Sequence, residues 1–140
     1  MSSEKQFDRI IWNEYSSGLV YLDNHRRNFI DIVNELIEVV NEGSCETSLP
    51  LIFHRLAFYV EDYFVKKEIA LMGNNDLPLQ TYKKEHDRFT NEVTRLHEEY
   101  FHGNPEVCRE LLEFIIPWYK NYIKIFDTKA IEYLKKKGFE

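Results

Sequence analysis

The sequence is short of basic charge, of cysteine and of long apolar runs. Its 140 residues carry 18 Lys and Arg against 24 Asp and Glu, a formal net charge of −6. Phosphate binding needs clustered Lys and Arg, and the sole basic cluster is Lys135-Lys136-Lys137 near the end of the chain. No nucleic-acid or anionic-membrane partner is therefore expected. Nowhere does the sequence hold the run of about 20 apolar residues that a transmembrane helix requires, and Met1 to Phe7 lacks the basic start and apolar core of a secretory signal. The expected location is the cytoplasm. Cys45, in a polar stretch, and Cys108, near a helix start, make neither a disulfide framework nor a zinc pattern, so each is expected to be a free thiol. Repeats of 20 to 50 residues are absent. So are a Gly-rich phosphate loop, a nucleophile elbow and a paired-carboxylate motif, and no enzymatic activity is expected.

What the sequence does have is a 44% hydrophobic content with 30% charged residues of mixed sign, enough for one folded domain with a solvated surface. Its few Gly and Pro residues punctuate it regularly. Gly43, Gly73, Gly103 and Gly138 each follow a helix-like stretch, and Pro50, Pro78 and Pro105 each open the next, the Pro-in, Gly-out asymmetry of helices. Ser48, Asp76 and Asn104 stand just before those prolines as capping side chains. Four helices are expected, roughly 20–42, 48–72, 78–102 and 105–137. Their apolar residues recur in steps of three and four: Leu22, Phe29, Ile30, Val33, Ile37 and Val40; Leu56, Tyr59, Val60, Tyr63 and Ala70; Tyr82, Phe89, Val93 and Leu96; Leu111, Ile115, Trp118, Tyr122 and Ile125. Helices of this length span roughly 37 Å, and short connections make neighbours antiparallel. The expected fold is all-α, an up-down-up-down antiparallel four-helix bundle over 20–137 with an N-terminal arm over 1–19. Pro117, inside the fourth helix, is expected to bend its axis.

Four landmarks carry a resemblance. Trp12 to Leu36 contains Gly18-Leu19-x-x-Leu22-Asp23 and ends Ile32-Val33-Asn34-Glu35-Leu36. Leu56-x-x-Tyr59-x-x-x-Tyr63-Phe64 is followed by Leu71-Met72, Pro78 by His86-x-x-Phe89, and these by Trp118-x-x-x-Tyr122-Ile123-x-x-x-Asp127. In this order, over nearly the whole chain, they resemble the bacterial hemerythrins. The resemblance implies a bundle in which five histidines and two bridging carboxylates hold two irons and bind dioxygen reversibly.

Carried over position by position, the resemblance places most ligands on residues of another chemistry. On the first helix, Gly18 and Asn34 both count to Arg26 as the ligand position, with His25 just before it. On the second, Tyr63 stands at the histidine and Lys67 at the bridging glutamate. A register shifted by one residue would instead bring in His25 on the first helix and Glu68 on the second. On the third, where the family has His-x-x-x-His, the chain has Tyr82-x-x-x-His86, and on the fourth Tyr122 and Asp127 stand at the histidine and the bridging aspartate.

A buried Asp127 without metal ions would be costly, and Arg26 and Lys67 supply compensating charge. The larger phenols of Tyr63, Tyr82 and Tyr122 fill space, with hydroxyls able to bond to Asp127, His86 and one another. The main expectation is a metal-free hemerythrin-like bundle with a polar core and no cofactor, in a binding, sensory or interaction role. Its partner is a small anion in the core pocket or a protein. Ordinary core tyrosines and solvent-facing Arg26 and Lys67 are the plainer reading of the same residues. One alternative is an altered iron site made by His86, Asp127, Tyr82 and Tyr122, since phenolate oxygen suits ferric iron. Another is conventional oxygen binding. His54, His97 and His102 are expected at the surface or near loops.

Overall fold

The structure, a computed structural model, describes residues 7–11, 15–59, 62–63, 79–124 and 128–138. Among these residues all regular structure is helical: α1 (Val20–Glu42), α2 (Cys45–Tyr59), α3 (Leu79–Phe101), α4 (Val107–Tyr122) and α5 (Thr128–Lys136). None of these helices is long and apolar enough to cross a membrane.

Helix α1 buries Leu22, Arg26, Phe29, Ile30, Val33, Leu36 and Ile37, a stripe in steps of three and four that faces α2 and α4. Its end is set by Gly43, whose φ of +74° is open to glycine and costly for residues with a Cβ. That turn lets the N–H groups of Gly43 and Ser44 donate to the carbonyls of Val40 and Val39, satisfying acceptors the helix leaves open.

Helix α2 starts at Cys45, earlier than the sequence suggests, so Ser48 and Pro50 lie inside it rather than at its entrance. A helix tolerates proline near its start because few bonds are lost there. Pro50 cannot donate to the carbonyl of Glu46, and the Tyr100 hydroxyl of α3 donates to it instead, at 3.4 Å. Asp62 and Tyr63 lie in a π-helical turn further along. The expected helix over 105–137 likewise differs. Pro105 sits in a turn closed by Asn104, whose Oδ1 accepts the Glu106 N–H at 2.9 Å, and α4 begins only at Val107. Ile123 and Lys124 continue it as a π-helical turn, and residues 128–136 are helical as α5.

Aromatic rings join the four longer helices at one point. Phe29 of α1 lies 4.9 Å from Tyr59 of α2, 6.0 Å from Phe89 of α3 and 4.3 Å from Tyr119 of α4, centroid to centroid. Residues before α1 lie along it. The Asn41 side chain accepts from the Phe7 N–H at 3.0 Å and donates to the Phe7 carbonyl at 2.9 Å, and Asn34 does the same for Ile10 at 2.7 and 3.0 Å.

The cysteines correct the sequence reading. Cys45 at the start of α2 and Cys108 at the start of α4 are bonded as a disulfide, with Cα atoms 6.3 Å apart across 63 residues of sequence. Helix packing, which sequence spacing does not report, brings the two helix starts together.

Candidate functional site

Arg26 reaches the core from the second turn of α1. It is 3% exposed, and its Nη1 donates to the carbonyl of Tyr15 at 2.7 Å. Just before it, Asp23 caps the turn that enters α1. Its carboxylate accepts from the Ser17 N–H at 2.7 Å and from the Ser17 hydroxyl at 2.6 Å. Partial burial works to raise the Asp23 pKa, but the Ser17 bonds, the Arg26 charge and the Ser16 hydroxyl outweigh it and hold the carboxyl below its ordinary value.

Helices α3 and α4 supply the rest. Tyr82 and His86 are one turn apart on the buried face of α3, and Tyr122 closes α4. Nε2 of His86 and Oη of Tyr122 share a buried hydrogen bond at 3.0 Å. The Tyr82 ring stands edge-on to Tyr122 at 6.1 Å and lies 5.8 Å from His86. Trp118, one turn before Tyr122, stacks on it at 5.0 Å and 17°. Tyr63 is buried, with its ring 5.1 Å from Tyr59 and 4.4 Å from His25.

The structure thus brings Tyr82, His86 and Tyr122 into one contact group and buries Arg26 and Tyr63. Lys67, Glu68 and Asp127 lie outside the described residues, and with them the expected pairing of Lys67 with Asp127. His25 is half-buried and lines a surface cleft of about 400 Å³ together with His54, Arg55 and Asp62. His54 and His102 are exposed. His97 is half-buried between the rings of Phe53 and Phe101, at 4.7 and 4.9 Å.

Trp118 and Tyr15, neither of them at a ligand position of the resemblance, also pack here. For Trp118 the signal was its spacing of four from Tyr122. Tyr15 sets its ring 6.2 Å from that of Tyr119 and gives Arg26 its backbone carbonyl, an acceptor that no side-chain pattern reveals. Among the described residues, no three His, Cys, Asp or Glu side chains gather where a metal ion could sit.

The chain is similar to a bacteriohemerythrin. That protein, from Clostridium acetobutylicum, is 28% identical to it over 127 residues, which cover 87% of this chain and 98% of the relative. No family model and no solved structure matches. The likeness covers most of both chains and, with the helical structure of the described residues, supports a hemerythrin-like protein.

Proposed function

We propose that this is a hemerythrin-like up-down-up-down four-helix bundle, with an N-terminal arm, in which a polar hydrogen-bonded core stands where the family holds two irons. Its role is to bind or sense a small ligand, or to engage a protein partner, and not to catalyse a reaction. The observation that carries this reading is the buried His86–Tyr122 hydrogen bond. An imidazole nitrogen that a metal ligand would need is engaged by a phenol from the neighbouring helix. Arg26 adds to the argument, because a guanidinium has no lone pair to offer a metal and its charge repels one. One histidine, three phenols and a guanidinium do not fit a diiron centre built on five imidazoles, so no step through iron is derived for this chain.

Tyr82 and Tyr122 in contact with His86 favour a second reading, a single ferric ion held by phenolate and imidazole together with Asp127. Elemental analysis and visible spectroscopy of protein expressed in iron-rich medium separate the cases. The proposal expects no stoichiometric iron and no charge-transfer band. A purple phenolate band on addition of ferric iron would establish the second reading. Close to two irons per chain with an oxo-bridged spectrum would restore oxygen binding and end the first.

A further inference from the structure

The two cysteines belong to none of this core chemistry, yet they meet at one place in the fold. Cys45 is the first residue of α2 and Cys108 the second of α4, and both line a solvent-open cleft of about 280 Å³ with Val40, Tyr100, Asn104 and Arg109. Cys45 is half-buried, so a small thiol entering the cleft can reach its sulfur. Both thiols also sit in the first turn of a helix, where unpaired N–H groups and the positive end of the helix dipole favour thiolate. Arg109 beside Cys108 acts in the same direction, and Glu46 and Glu106 in the cleft act against it. A sulfur stabilised as thiolate is a good leaving group, which makes its disulfide easier to reduce than an ordinary structural one.

From this geometry we propose that Cys45 and Cys108 form a reversible thiol–disulfide clamp, set by the small-molecule thiol pool, that fastens the start of α2 to the start of α4. The oxidant is a low-molecular-weight disulfide of the glutathione class. The Cys45 thiolate attacks one of its sulfurs, forming a mixed disulfide and releasing one small thiolate. The Cys108 thiolate then attacks Cys45 Sγ, forming the protein disulfide and releasing the second small thiolate. Two protein sulfurs are oxidised, two small-molecule sulfurs are reduced, and the two protons of the protein thiols end on the released thiols. In compartments kept reducing by thiols, disulfides that form at all are commonly transient or redox-sensing.

The test takes the full chain through glutathione buffers of graded oxidised-to-reduced ratio, traps free thiols with a maleimide, and counts them by intact mass. The expected result is conversion between dithiol and disulfide with its midpoint inside the series, the same from either direction. The oxidised form should melt roughly 5–15 °C above the reduced one, because the crosslink restrains the unfolded chain. Cys45→Ser and Cys108→Ser should each lose the gain in melting temperature, and Cys108→Ser, which lacks the second thiol, should stop at the mixed disulfide and carry the added glutathione mass at oxidising ratios. A pair that stays oxidised in excess reduced glutathione is a fixed structural crosslink, and a pair that stays reduced throughout is two free thiols. Either result overturns the clamp, as does a disulfide formed between two chains. Should a serine variant fail to fold, the titration of the parent still decides.

Discussion

Nε2 of His86 and the hydroxyl of Tyr122 meet in the buried interior, each giving the other a hydrogen-bond partner at 3.0 Å. Removing the hydroxyl alone leaves the imidazole nitrogen without that partner, which costs about 1–3 kcal/mol where the site is dry. Tyr122→Phe is therefore expected to lower stability by that amount in urea denaturation. In the double variant with His86→Leu the loss should fall short of the sum of the two single losses. Strict additivity would mean that the two groups are not coupled.

Asp23 gives a second expectation, with a definite sign. Its carboxyl is held below the ordinary aspartate value of 3.8, so the folded state binds its proton less tightly than the unfolded state does. The stabilisation is fully present above the unfolded value and is lost as pH falls through the lower folded value. Replacing Asp23 with Asn should cost roughly 1 kcal/mol near neutrality. The two proteins should converge in stability on acidification. A gap that stays constant from neutral pH down to acid unfolding would show that the Ser17 bonds do not depend on the charge.

At the scale of elements, the register between α1 and the residues before it has a simple geometric cause. Seven helical residues rise about 10.5 Å, and three residues of extended chain cover about 10 Å. Asn34 and Asn41, seven apart on one face, therefore meet the backbones of Ile10 and Phe7, three apart, with the chain running back along the helix. Arg109 of α4 lies over the Phe7 ring at 5.0 Å and helps hold the same segment. Asn34→Leu removes two of the four bracketing bonds and should raise the rate of tryptic cleavage after Arg9 roughly tenfold, through easier local opening. Helical circular dichroism should stay unchanged. If cleavage after Arg9 were no faster, the packing of Phe7 and Ile10 would be what holds the segment.

Across the whole molecule, Phe29 is the side chain on which the helices converge. It is fully buried and touches Tyr59, Phe89 and Tyr119 on three different helices. Phe29→Ala should cost roughly 3–5 kcal/mol and weaken the near-ultraviolet signal of the tyrosines more than the helical signal. A loss below about 1 kcal/mol would mean the core closes over the gap, since the cost depends on how well a site can collapse. The sequence by itself determined much of this. The three- and four-residue spacing of apolar positions marked the buried faces of α1, α3 and α4, because a helix places such residues on one side whatever its neighbours are. Gly43 and Gly103 marked helix ends because their positive φ is strained for any residue with a Cβ. Tyr82 and Tyr122 were legible as inward positions for the same local reason, and His86 only through the resemblance that sets it one turn after Tyr82. Only the tertiary structure decided that Pro50 lies inside α2, where a hydroxyl from α3 reaches the carbonyl that proline leaves open. It also decided that Arg26 finds its acceptor in the backbone of Tyr15, and that Cys45 meets Cys108. Each of these contacts joins residues far apart in sequence or depends on a backbone atom common to every residue, and helical periodicity carries no record of which helix ends come to lie side by side.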